Sequence, residues 1–192
     1  MPANQIVFAG VDVSSGRKPI TFAALDDDLN VRLTETWSVA ETFTSLNEYE
    51  NIYLAISVPR QAKEIYKDFR ESIMQAGFKP YSTKNGSKQF VETNAQECFR
   101  ELIGKKPLPR RTLEGRLQRS AVLYEQGLLI TDPVDVFEEI TRYKLVQGIL
   151  PLEDIYSSKE LDAIVVAYVA WLAINRPGQI ALQGEFSLPV QE

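Results

Sequence analysis

The chain has 192 residues, 44% hydrophobic and 24% charged, the composition of an ordinary globular domain and not of a disordered or collagen-like one. It contains no histidine and one cysteine, Cys98, which excludes internal disulfides, histidine-dependent hydrolase triads and the common histidine-ligated zinc sites. Chemistry must therefore run on carboxylates, hydroxyls, lysine and arginine, in hard-metal sites, carboxylate pairs or phosphate clamps.

The length suits a single domain over 1–192. The longest apolar run, Ala163 to Ile174, has 12 residues, against about 20 for a membrane span. No charged-then-apolar leader opens the sequence, because the run from Ile6 is short and ends in Asp12. A soluble, cytoplasmic protein with no membrane partner is expected. Net charge is −5, but Arg100 to Arg119 holds seven basic and two acidic residues, a local +5 on a body that carries −10. Such a segment is either a solvated helix face or a contact for a phosphate backbone.

In chain order, Gln5 to Val13 reads as a strand buried on both faces, since Ile6, Val7, Phe8, Ala9 and Val11 are all apolar. Ser14-Ser15-Gly16 is a turn, and Ile20 to Leu25 a second strand. Asp26, Asp27 and Asp28 form a solvated hairpin turn, after which Val31 to Trp37 alternates as a third strand with one wet face. Ser38 to Glu41 has the capping-box pattern and starts a helix carrying Phe43 and Leu46. Asn51 to Ser57 is a fourth, buried strand. Arg60 to Ala76 is an amphipathic helix with Ile65, Phe69 and Ile73 spaced by four, stopped at Gly77.

Thr83 to Lys88 reads as a loop, and Asn94 caps a short helix ending near Gly104. Pro107 and Pro109 interrupt the chain before a helix from Thr112 to Gln126, with Leu113, Leu117, Ala121 and Tyr124 on one side. Val134 to Phe137 is expected as a fifth strand, and Glu138 to Ile149 as a helix. Ser157 to Glu160 is a second capping box, launching a helix through Asn175 that is apolar nearly all round and therefore buried. Ile180 to Val190 adds an edge strand. A three-stranded meander followed by strands alternating with helices makes a mixed α/β sheet.

Three acidic positions stand out. Asp12 closes the most buried strand, although Ser14, Ser15 and Gly16 already supply turn chemistry; it is either a turn-maker or a ligand at the carboxyl edge of a central strand. Asp162 lies past the first turn of the last helix, on one face with Val165, Val166 and Val169. A charge there is costly unless it is paired or metal-bound, though an acid that simply rims the core is the plainer alternative. On strand alternation Asp135 shares a face with Phe137, and Glu138 points oppositely with Val136, so either could reach the sheet end where Asp12 lies. Three acids on a central strand, a neighbouring strand and a buried helix imply Mg²⁺ or Mn²⁺, which activates water for phosphodiester cleavage without histidine.

The runs Phe8 to Ser14 with Thr21 to Leu25, Tyr53 to Pro59, Val134 to Phe137 and Glu160 to Tyr168 together resemble the DUF429 family, whose members are predicted nucleases of the ribonuclease H-like superfamily. The resemblance implies an α/β ribonuclease H-like fold, with a mixed five-stranded sheet of order 3-2-1-4-5 flanked by helices. It places the family's first-strand aspartate on Asp12, its late-helix aspartate on Asp162 and its fifth-strand glutamate on Asp135, with Glu138 close by. The fourth strand departs from the pattern: Ser57 stands before Val58-Pro59 where the family commonly has an aspartate.

A neutral hydroxyl there removes one negative charge from a cation site. Glu138, Asp135 or Glu160 then compensates, or the fold has outlived its reaction. Two functions follow as expectations. One is a Mg²⁺- or Mn²⁺-dependent nuclease with catalytic Asp12, Asp135 and Asp162, metal held by these and Glu138, and phosphate contacts from Arg110, Arg111 and Arg116. The other is a catalytically silent relative that binds nucleic acid or protein. The first-strand pattern also suits sugar-kinase and actin-like ATPases, but those need two such domains and 192 residues leave room for one.

Overall fold

A computed structural model describes residues 6–13, 20–59, 63–81, 87–148 and 155–190. The turn expected at Ser14 to Gly16 and the ends of the expected helices at Arg60 and Ile149 lie outside the described residues. So does most of the expected Thr83 to Lys88 loop.

Strands β1 (Val7–Asp12), β2 (Ile20–Leu25) and β3 (Val31–Trp37) form the expected antiparallel meander. The turn between β2 and β3 is less solvated than its three aspartates suggest. Asp26 is buried, accepting hydrogen bonds from the Asn30 amide (2.9 Å) and the Arg32 Nε (2.6 Å), while Asp27 and Asp28 stay exposed. Helix α1 (Val39–Asn47) starts at the Ser38–Glu41 capping box. Strand β4 (Ile52–Ser57) then returns parallel to β1, and helix α2 (Lys63–Gln75) buries Phe69 and Ile73.

Beyond α2 the expected order changes. A two-residue strand β5 (Lys79–Pro80) and the six-residue β6 (Lys88–Thr93) both run parallel in the sheet, giving six strands in the order β3-β2-β1-β4-β6-β5. The place beside β4 is thus taken by Lys88–Thr93, not by Val134 to Phe137. The latter segment opens helix α5 (Pro133–Val146). Asp132 explains why: its Oδ1 accepts from the Val134 amide (2.8 Å), its carbonyl accepts from the Val136 amide (3.1 Å), and Pro133 occupies the first helical position. An N-terminal stop-start of this kind outweighs four residues of β-like alternation.

Helices α3 (Ala95–Ile103), α4 (Leu113–Glu125) and α6 (Ser158–Asn175) start at Asn94, Thr112 and the Ser157–Glu160 capping box. The end of the described chain forms a hairpin of its own, β7 (Ile180–Gln183) and β8 (Phe186–Pro189), and not an edge strand of the main sheet. Its two-residue connection turns at Gly184, whose φ of +64° favours glycine.

The sheet separates two cores. On one face Phe8, Ala23, Leu25, Ala55 and Val91 pack against α3, α4 and α6. On the other, Val7, Ala9, Val11, Phe22 and Ile56 pack with Leu46 of α1 and Phe69 and Ile73 of α2. Helix α5 stands apart, held by a small cluster of Val136, Ile140 and Ile155 against Leu113 and Leu117 of α4. The chain is an α/β protein with a mixed six-stranded sheet flanked by helices.

Candidate functional site

The site begins with Gly10. A Cβ at this position would lie 2.2 Å from the Ala163 carbonyl oxygen and 2.3 Å from the Ala167 amide nitrogen, so glycine is what lets β1 lie directly against α6. Asp12 follows two residues later on the same face of the strand, and Asp162 directly precedes Ala163. The close approach therefore brings together two acids 150 residues apart in sequence. Both are buried, Asp162 with 0% of its surface exposed.

Strand register extends the site sideways. Asp12 pairs with Thr21 on β2 and Ser57 on β4, and Ser57 pairs with Thr93 on β6. Each is an even number of residues from an apolar member of the α6-side core, Asp12 four from Phe8, and Thr21, Ser57 and Thr93 two from Ala23, Ala55 and Val91, so all four polar side chains project toward α6. The row is buried throughout. Ser57 Oγ accepts from the Ala95 amide (3.3 Å), and Thr93 Oγ1 donates to the Ser187 carbonyl (2.7 Å). These bonds fix α3 and β8 over the sheet end.

Helix α3 supplies Gln96. Asn94 caps the helix through its Oδ1 and donates from Nδ2 to the Val58 carbonyl (2.9 Å), which ties the first turn to the end of β4. From that turn Gln96 Nε2 donates to Asp162 Oδ1 (2.8 Å). The loop into α4 and the helix itself each supply one arginine. Gly115 packs on the Pro109 carbonyl, where an added Cβ would come within 2.0 Å, and this tight start sets the loop. Arg110 Nη1 donates to Asp162 Oδ2 at 2.8 Å. Arg119, only 2% exposed, donates to the carbonyls of Leu108 and Gly115 and to Gln96 Oε1 (3.2 Å), with its guanidinium over the Phe99 ring. Its Nε has no hydrogen-bond partner among the described residues.

Electrostatics follow from this arrangement. Burial pushes the Asp162 carboxyl up and the neighbouring Asp12 charge adds to it, while Arg110, Arg119 and the Gln96 amide only partly offset the rise; the group titrates at about 7. Burial also pulls Arg119 down. Two carboxylates, two guanidiniums, an amide and a row of hydroxyls thus share one buried corner at the carboxyl ends of parallel strands, where ligands gather in such sheets.

The donor set suits one hard cation better than two. A Mg²⁺ ion is commonly held by one or two carboxylates, with water and phosphate oxygens completing the shell. Asp12 and Asp162 are the carboxylates that could serve, although both Asp162 oxygens already accept from Gln96 and Arg110, and Ser57 places a neutral oxygen beside Asp12. Among the described residues no three of His, Cys, Asp and Glu come together as a cation cage.

The other expected residues lie elsewhere. Asp135 and Glu138 are exposed on α5, outside the sheet. Glu160 serves the cap of α6, its oxygens accepting from the Ser157 amide (2.7 Å) and the Thr34 hydroxyl (3.2 Å). Arg111 is exposed on the loop beside Arg110, whereas Arg116 donates to the carbonyls of Tyr156 and Ile155 and so holds the segment that enters α6. The acid on the strand beside β4 is Glu92, which points to the opposite face and pairs with Arg70 of α2 at 2.8 Å.

Gln96 and Arg119 are members of the site that the sequence pattern does not single out. A signal for Arg119 exists: Gly115, Arg119, Val122 and Leu123 form the buried face of α4, whereas Tyr124 is 44% exposed. No protein-family model, no curated protein and no solved structure matches this chain.

Proposed function

We propose that this protein is a ribonuclease H-like, divalent-cation-dependent nuclease with a reduced carboxylate set. The observation that supports this most is the buried Asp12–Asp162 pair at the carboxyl end of the central strand, coupled closely enough for one charge to raise the other's pKa. The antiparallel meander followed by parallel strands agrees with that fold family, as does the resemblance to the DUF429 family. Mg²⁺ or Mn²⁺ would be held by Asp12 and Asp162, where a dication supplies Lewis-acid stabilisation of phosphate oxygens.

The chain's own groups have separable tasks in this proposal. Gln96 orients Asp162, and Arg119 holds Gln96. Arg110 sits at the edge of the site with its side chain 31% exposed, while Lys105, Lys106 and Arg111 are exposed on the same loop and offer contacts to a phosphate backbone.

The test is thermal melting with millimolar MgCl₂ or MnCl₂, run beside cleavage of labelled single- and double-stranded oligonucleotides. The expected result is a metal-induced rise of about 2–4 °C in the wild type that Asp12→Asn abolishes, together with metal-dependent cleavage. No shift and no cleavage at millimolar metal overturns it.

One observation favours a second reading. Arg110 already sits on Asp162, and Ser57 and Gln96 are neutral where further acids would help hold a cation. The corner is therefore near charge balance without any metal, as suits a non-hydrolytic domain that binds nucleic acid through its basic loop. Salt-dependent oligonucleotide binding, without cleavage or a metal shift, selects this alternative.

A further inference from the structure

Helix α5 has two apolar faces. Val136 and Ile140 turn inward against α4. Val134, Phe137 and Leu145, spaced by three and eight residues, form a second stripe on the outer side, and they are 63%, 57% and 81% exposed. Thr141 continues the stripe between Phe137 and Leu145, its hydroxyl turned back to the Phe137 carbonyl (2.9 Å), so it presents its methyl face more than a polar one. Phenylalanine and leucine this far into water on one helix face mark a contact surface.

The charges along the helix say what covers it. Asp135, Glu138 and Glu139 lie in the first half, Arg142 and Lys144 in the second. A second copy laid antiparallel across a two-fold axis sets each acidic half over the partner's basic half. In that register Val134 meets Leu145 of the other copy, and Glu138 meets Arg142 twice, once on each side of the axis. A parallel arrangement stacks like on like. We infer that the outer face of α5 is a self-association surface, through which two copies of this chain pair antiparallel as an isologous dimer.

A helix of 14 residues is about 21 Å long, so the pairing buries roughly 1,000 Å² in total, at the small end for specific interfaces. Interfaces of this size are transient, so a dimer in exchange with monomer is expected. This inference is independent of the metal question, because α5 carries no residue of the Asp12–Asp162 corner.

Sedimentation of the full chain from about 1 to 300 µM reads it out, with circular dichroism checking the fold of each variant. The wild type moves from monomer to dimer over this range, whereas Phe137→Glu stays monomeric. Glu138→Arg and Arg142→Glu each weaken pairing at least tenfold, because each sets like charges against each other across the axis. Mixing the two variants restores a dimer, since both cross-axis pairs are then complementary. A wild type that is monomeric at 300 µM overturns the inference. So does a dimer that Phe137→Glu leaves intact, or a mixture that pairs no better than its components.

Discussion

Helices α5 and α6 both carry acids that the sequence marks as candidates, and they hold them in opposite ways. Helix α6 is buried from Leu161 through Ala173 and enters the main core. Helix α5 rests on Val136 and Ile140 and leaves Asp135 and Glu138 in water. An acid on α6 is desolvated and must have partners, and Asp162 has Gln96 and Arg110. An acid on α5 needs none. A carboxylate thus acquires chemistry from the element that takes it out of water, more than from its neighbours in sequence.

The strongest way to break the α6 side is at Gly10. Gly10→Val forces a side chain into the Ala163 carbonyl and Ala167 amide, neither of which can yield without moving a helix. The expected loss exceeds about 4 kcal/mol, enough to leave little folded protein by circular dichroism. A folded variant of near wild-type stability would show that β1 and α6 do not depend on this contact.

Next in size is Arg110→Ala, which leaves Asp162 buried with a charge and one partner fewer. Discounted for the partial exposure of Arg110, the cost is about 2 kcal/mol at pH 8. It shrinks below pH 6, where Asp162 is protonated. The same titration gives the wild type a pH dependence whose sign is fixed. The folded pKa of Asp162 is about 7, above its ordinary 3.8, so the native state binds the proton more tightly than the unfolded one. This group therefore favours folding most near pH 4, and that advantage is lost as pH rises through 7. Melting temperature should fall between pH 5 and pH 8, and Asp162→Asn should flatten that slope. An Asp162→Asn variant with the wild-type slope assigns the dependence to another group.

On the α5 side Ile140→Ala is expected to cost about 1–2 kcal/mol, less than a fully enclosed isoleucine, because its cluster is small. Hydrogen exchange should report it as faster opening of α5 alone, with the amides of β1 and α6 unchanged.

The contrast also explains what could be foreseen. The meander, β4, the Ser38 and Ser157 capping boxes and the Asn94 cap are local patterns, and each appears where its residues predict it. Asp12 and Asp162 were legible for a related reason: a charge at the end of an all-apolar strand, and one heading a valine stripe, conflict with their own surroundings. What the sequence hid depends on tertiary placement. Lys88–Thr93 follows the turn residues Asn85-Gly86, but only Phe90 and Val91 of its six residues are apolar, so no strand pattern marks it and parallel pairing with β4 defines it. Val134 to Phe137 alternates as a strand does, yet Asp132 and Pro133 commit it to a helix. Gln96 is an ordinary first-turn residue until α6 brings Asp162 within 2.8 Å of it.

The smallest expected effect is also the most discriminating for the acids. Asp135→Asn with Glu138→Gln removes two carboxylates from α5. Asp135 lies in the first helical turn, where a negative charge is favourable to the helix dipole, so a few tenths of a kcal/mol is the expected loss. The decisive readout is the response to metal, measured at low micromolar protein where the chain is monomeric. If cation binding rests on Asp12 and Asp162, the double variant keeps the wild-type metal-induced rise in melting temperature, whereas Asp12→Asn loses it. A shift abolished by the α5 double variant would mean that these distant acids move to the sheet end when metal binds, and the division drawn between the two helices would then fail.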